Sequence, residues 1–179
     1  YGDVLANLLK FNGNKVTKEY YINDYGNQIK HFVESVFLRI REIKFNEKFP
    51  LKENLYPAIY IKEIAQEILD KNKDKDFDNF NKNYNFLKEK SLNESMSLIK
   101  KDLSQLGISH DNFFSETELV NRNLVNQAVK HLDRKKLVEE GFLAKPKGEV
   151  IENWKKIKRL IFKSTLFGDD TDRALQKND

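Results

Sequence analysis

The chain has no cysteine, one tryptophan, three prolines and seven glycines among its 179 residues. Without cysteine there are no disulfides, zinc knuckles or thiol nucleophiles, so packing alone must hold the fold. The glycines never form G-x-G-x-x-G or a Walker loop, which excludes phosphate cradles of those two kinds. No apolar run approaches a membrane span, and no basic stretch followed by an apolar one resembles a secretion signal, so a soluble, cytoplasmic chain is expected. His31, His110 and His131 lie far apart with no metal-ligand spacing, and each reads as a surface or helix-end residue.

Charge is abundant instead. Charged residues make up 34% of the chain against 39% hydrophobic, and the net charge is +4. The excess comes from 26 lysines against 6 arginines, beside 19 asparagines. That bias fits AT-rich coding as readily as a polyanion partner, because a basic balance speaks of non-specific attraction rather than of fold. The length suits one compact domain with insertions.

Residues 16–28, VTKEYYINDYGNQ, organise the rest. Val16, Thr17, Tyr20, Tyr21 and Ile22 are β-branched or aromatic and are bounded by Gly13 and Asn14 upstream and by Asn23, Asp24 and Gly26 downstream, which predicts a short buried strand. Ahead of it, Val4, Leu5, Leu8, Leu9 and Phe11 share one face of a core-facing helix over residues 3–11. Behind it, Ile29, Phe32, Val33, Val36, Phe37 and Ile40 recur at three and four and predict a helix over 27–43. Helix, strand and helix make half of a doubly wound α/β unit, in which ligands bind outside the carboxyl ends of the strands. Asn23, Asp24, Asn27 and Gln28 would stand there, with Gly26 allowing a sharp turn.

The remainder reads as mainly helical. Residues 45–57 lack a period and predict a loop, and Ile61, Ile64, Ala65, Ile68 and Leu69 give a helix ending near Asn72. Residues 70–85 alternate Asp, Lys and Asn. A calcium loop fails there, since Lys75 stands at the glycine position and Asn81 at the bidentate glutamate position, so a solvated, mobile connection with few apolar anchors is expected. A long helix over 87–106 ends at Gly107, a short strand follows over 108–114, and Ser115 with Glu118 has capping-box spacing before one more helix carrying Leu119, Leu124, Val125, Ala128, Val129 and Leu132 inward. The short apolar runs at 137–138, 141–143 and 160–162 suggest a small antiparallel element. The basic stretch around Trp154 is a solvated hairpin or a weak nucleic-acid patch. Asp169, Asp170 and Asp172 beside Arg173 fit either a magnesium site or a loop salt-bridge network.

Residues 2–16, GDVLANLLKFNGNKV, followed by YYINDYGNQI with its D-x-G-x-Q turn, resemble the catalytic domain of arginyl-tRNA synthetases. YIKEIA at 60–65, KDLSQLG at 101–107 and FKSTLFGDDTDR at 162–173 are similar to further blocks of the bacterial enzyme, in the same order. The resemblance implies a helix-rich part of a class I, Rossmann-type nucleotide-binding domain, with residues 1–44 and 96–122 in the catalytic core, 45–95 a helical insertion, and 123–179 a second insertion holding the antiparallel strands. It implies arginine, ATP and tRNA(Arg) as partners, magnesium with the ATP, no membrane, and a monomeric parent enzyme. Asp24 would then face the α-ammonium group of the amino acid, by analogy with other class I synthetases, or else cap the helix at Asn27. Gln28 would orient Asp24 or the substrate carboxylate, and Tyr21 would wall the pocket or fill the core. No residue takes the part of a general base or a metal ligand. The rival reading is a non-catalytic, basic helical module that binds tRNA or another polyanion.

The resemblance also implies an internal piece of a longer enzyme. Tyr1-Gly2-Asp3 starts where the family's H-x-G-H stretch should end, and the last residues stop short of its later arginine-holding Tyr and Asp. The chain alone is therefore expected not to activate arginine. Arginine-dependent pyrophosphate exchange by the purified 179-residue chain would contradict this.

Overall fold

The computed structural model describes residues 1–143 and 157–175, in two units, Tyr1–Thr117 and Glu118–Asp179. In the first, α1 (Gly2–Phe11) leads to β1 (Glu19–Ile22), which runs through a polar turn into α2 (Asn27–Phe45). Next come α3 (Ile59–Lys71), α4 (Phe80–Gln105), β2 (Asn112–Ser115) and the start of α5 (Glu116–Asn121). β1 and β2 pair in parallel, with Tyr20 opposite Phe113 and Ile22 opposite Ser115. A parallel pair needs a crossover, and here it is the three helices α2 to α4.

The α2 stripe behaves as its period requires. Val33, Val36 and Ile40 are completely buried, against Ile61, Ile64, Ala65 and Ile68 of α3 and Leu87 of α4. Burying one such side chain contributes about 1.5–3 kcal/mol, so these three helices carry the stability of the unit. The segment between α2 and α3 is irregular, as expected, and is pinned from α2. Ser35 Oγ donates to His31 O at 2.7 Å and accepts from Tyr56 N at 2.9 Å. The Arg39 guanidinium lies 3.9 Å from the centre of the Phe49 ring and donates to Pro57 O at 2.6 Å.

Several expectations need correction. The strand at 16–22 is shorter and less buried than predicted: the ladder starts at Glu19, and Tyr21 is 52% exposed. A single neighbouring strand covers one edge only, so the β-rich sequence does not become a buried strand. Likewise α1 is amphipathic but buries only Ala6, leaving Val4, Leu5, Leu8 and Phe11 exposed, because no described element packs over that stripe. The largest miss is at 70–85. Phe77 is fully buried in the core, Asn79 caps α4 by accepting from Lys82 N at 3.0 Å, and residues 80–85 are already helical. Phe77, Phe80 and Tyr84 are the apolar anchors that the surrounding charges concealed. The α4 helix ends as predicted at Gly107, where φ is +71° and Ile108 N reaches back to Leu103 O at 2.9 Å.

In the second unit the single predicted helix is broken. Asn123 takes a left-handed φ of 56°, which asparagine tolerates better than most residues, and separates α5 from α6 (Leu124–Arg134). No α6 residue is buried. The antiparallel element is present as β3 (Val138–Gly141), β4 (Arg159–Phe162) and β5 (Arg173–Ala174), in the order β3-β4-β5. Val138 and Ile161 are its buried residues. A 3-10 turn over Ser164–Phe167 stacks Phe167 on Phe162 at 5.8 Å. Trp154, Pro146 and Gly148 lie outside the described residues.

Phe77→Ala should cost about 3–5 kcal/mol, since it empties a fully enclosed aromatic site. Urea unfolding measures this, and a loss below about 1 kcal/mol would show that residues 70–79 are not anchored.

Candidate functional site

In parallel α/β sheets ligands bind beyond the carboxyl ends of the strands, so the site is sought where β1 and β2 end. Beyond β1 the chain runs Asn23, Asp24, Tyr25 and Gly26 into α2; beyond β2 it passes into Glu116 and Thr117 of α5. Gly26 stands just ahead of α2 with φ +88° and ψ −176°, a conformation closed to residues with a Cβ, and this makes the turn possible.

Asp24 joins the two strand ends. Its Oδ2 accepts from Ser115 Oγ at 2.6 Å and its Oδ1 from Thr117 N at 2.8 Å. Its backbone carbonyl accepts from Thr117 Oγ1 at 3.0 Å. Neither use of Asp24 weighed from the sequence describes this geometry. The N-cap of α2 makes no side-chain hydrogen bond, and the carboxylate instead serves the first turn of α5. Burial pushes the Asp24 carboxyl up, but the hydrogen bonds from Ser115 and Thr117 outweigh it and hold the group below its ordinary value.

Beside this tie a cleft of about 270 Å³ opens between β1, α2, α3 and α4. Its rim carries Tyr21, Asn23, Gln28, Tyr60, Ser95 and Met96, above a floor that includes Ile29 and Phe32. No acidic or basic side chain lines it. Asn23 Nδ2 reaches Gln28 Oε1 at 3.4 Å. Burial, and then the Glu116 carboxylate, raise the Tyr21 phenol above its ordinary value. Burial and then Tyr56 do the same for Tyr60, so both phenols stay neutral donors. Of the residues expected at the site, Tyr21 and Gln28 line the cleft, whereas Asp24 and Gly26 shape its edge from outside the lining. Tyr60 and Met96 were read only as helix positions. Their signal was their place off the buried stripes of α3 and α4.

A larger cleft, about 470 Å³, lies at the opposite end of the strands, around the Asp3–Lys18 ion pair of 2.7 Å and His110. Its position at the amino ends of β1 and β2 makes it the weaker candidate. Among the described residues no cluster of His, Asp or Glu could hold a metal ion. The acids at 169–172 are committed elsewhere. Arg173 Nε and Nη2 donate to Asp169 at 2.7 and 2.6 Å and Nη2 to Asp170 at 3.1 Å, while Asp172 accepts from Thr165 N and Oγ1. Arg173 draws the Asp169 carboxyl far below the usual carboxylate range. No helix among the described residues is long and apolar enough to cross a membrane.

No family model matches the chain. Relatives, however, match it end to end. It is 54% identical to the arginine-tRNA ligase of Pelagibacter ubique over 99% of this chain and 31% of the ligase. It is 46% identical to that of Ehrlichia chaffeensis and 44% identical to that of Anaplasma phagocytophilum, each over 100% of this chain and 31% of the relative. A crystal structure assigned to an arginyl-tRNA synthetase of Campylobacter jejuni superposes with a TM-score of 0.74 at 27% identity, over 99% of this chain and 35% of that one. The resemblance seen in the sequence thus holds along the whole chain, which spans about a third of the relatives' length.

Asp24→Asn tests the tie. Asparagine keeps the shape but turns an amide NH2 toward one of the two donors, so the substitution should destabilise the fold by about 1–3 kcal/mol. A depressed carboxyl stabilises the fold above the ordinary carboxylate range and loses that contribution as pH falls through its folded value, below about pH 4. The acid-side loss of stability should therefore be shallower in Asp24→Asn. Unchanged melting and an unchanged acid limb would show that the carboxylate is not a structural tie.

Proposed function

We propose that this chain, matched along its whole length by 31% of each arginine-tRNA ligase, is part of such a ligase, which activates arginine with ATP and transfers it to tRNA(Arg) in protein synthesis. The 54% identity over 99% of the chain carries this reading. It does not favour the rival binding module, since the relatives are named as ligases throughout.

In this reaction the arginine carboxylate attacks the α-phosphorus of ATP and pyrophosphate leaves. A ribose hydroxyl of the tRNA end then takes the arginyl group, and AMP leaves. Both steps are transfers to phosphorus or an acyl carbon, in which positioning and charge stabilisation do most of the work. The segment's part is positioning: it supplies one wall of the crevice at the carboxyl ends of β1 and β2. Tyr21 and Gln28 face the crevice, Gly26 makes the turn between them, and Asp24 fixes the turn against the start of α5. None of these residues acts as a general base. Magnesium is expected to come with ATP, and the described residues do not fit a ligand set for it, because the candidate acids are bonded to Arg173 and Thr165.

The same reading places β1 and β2 in a larger Rossmann-type parallel sheet. Two features support it: parallel sheets are covered on both faces, and the exposed apolar stripe of α1 is a face of that kind. Residues 1–44 and 96–122 form the core and 45–95 an insertion, in keeping with β1 pairing with β2 across helices that lie largely in the inserted stretch. Residues 123–179 form the second insertion.

The full-length protein should catalyse arginine-dependent exchange of pyrophosphate into ATP in the presence of tRNA. Absence of exchange with arginine, or exchange with another amino acid instead, would overturn the reading.

A further inference from the structure

The cleft beside Tyr21 has a chemistry unlike that of a site for arginine or for phosphate. A guanidinium or a phosphate taken out of water needs an opposite charge, and no charged side chain lines this cleft. What it offers is aromatic faces and amides. Tyr21 and Tyr60 are 52% and 41% exposed, and among the described residues neither ring packs against another aromatic. The single contact between Asn23 Nδ2 and Gln28 Oε1 sets the two amides side by side. It leaves an acceptor, Asn23 Oδ1, next to a donor, Gln28 Nε2. Paired donor and acceptor amides complement the amino group and ring nitrogen on an adenine edge. Size points the same way, since about 270 Å³ falls at the small end of ligand pockets and suits one ring system, with sugar and phosphate outside.

We propose that this cleft is a nucleobase pocket that holds an adenine-type ring on the faces of Tyr21 and Tyr60 while Asn23 and Gln28 read its edge. The pocket is defined by its own lining, and only the source of the base rests on the ligase reading. Within that reading adenine arrives either as the base of ATP or as a base of the single-stranded tRNA end. Stacking on tyrosine and edge recognition by amides serve either source.

The test is equilibrium binding to the full-length protein, with AMP and short single-stranded oligoadenylate in separate arms and IMP and oligoinosinate of equal length as controls. Adenine and hypoxanthine stack alike and carry the same phosphates but differ at the six position, so the comparison cancels the salt-dependent backbone contribution. Adenine ligands should bind about tenfold more tightly than their inosine counterparts. Gln28→Leu should abolish that preference while leaving inosine affinity in place. Tyr21→Leu should weaken both bases by about tenfold, and Tyr21→Phe should restore them. Preference seen only with AMP assigns the pocket to the mononucleotide, and preference seen only with the oligomer assigns it to the strand. Equal binding of adenine and inosine ligands, no binding of either, or wild-type affinities in Gln28→Leu and Tyr21→Leu would overturn the proposal. Arginine-dependent exchange by the wild type is measured in the same preparation. Its failure counts against the ligase reading alone, because base binding is read without catalysis.

Discussion

The parallel pairing of β1 with β2 is the constraint on which the first unit depends. Two short strands must meet across about ninety residues of intervening chain, and loop closure of that length is unfavourable until the interior of the loop repays it. The repayment comes from α2, α3 and α4, whose buried faces close on one another around Phe77. The helical core therefore brings the strand ends together, and Asp24 fixes them there through Ser115 and Thr117. Charge-assisted bonds from a carboxylate to a hydroxyl and to a backbone N–H are stronger than neutral ones. They also suit the first turn of a helix, where free N–H groups need acceptors.

That arrangement divides labour around the crevice. The charged residue at the strand end is used inside the protein, and the surface left for a ligand is neutral, aromatic and amide-bearing. Gly26 lets the chain leave Asp24 and enter α2 within two residues, which brings Gln28 back beside Asn23. The crossover helices supply Tyr60 from α3 and Ser95 and Met96 from α4. The cleft is thus a product of the crossover as much as of the strand.

Much of this was legible in the sequence, for reasons that particular residues show. The three-four recurrence from Ile29 to Ile40 describes the core face of α2 because a helix repeats every 3.6 residues. Short apolar runs separated by turn residues likewise marked β3 and β4. Periodicity tells which face of α1 is apolar but not whether anything covers it, so the exposure of Leu5 and Leu8 could not be read. Charge density hid Phe77, since one buried aromatic among Lys and Asp changes local composition little. The partners of Asp24 stand 91 and 93 residues away, a separation at which local patterns carry no signal. The resemblance to arginyl-tRNA synthetases pointed to the right turn. Atomic geometry then showed Tyr21 and Gln28 facing the cleft while Asp24 faces Ser115.

The central claim is that the carboxyl ends of β1 and β2, held as one unit, form a substrate-facing wall of an arginine-tRNA ligase. Hydrogen exchange on the full-length protein, with and without arginine, ATP and tRNA together, tests it most directly. The account predicts slowed exchange at residues 20–29 and 113–118 in concert when the substrates are added, with the α2 to α4 core already protected and unchanged. Substrate-dependent protection confined to other parts of the protein, with these two segments unaffected, would contradict it.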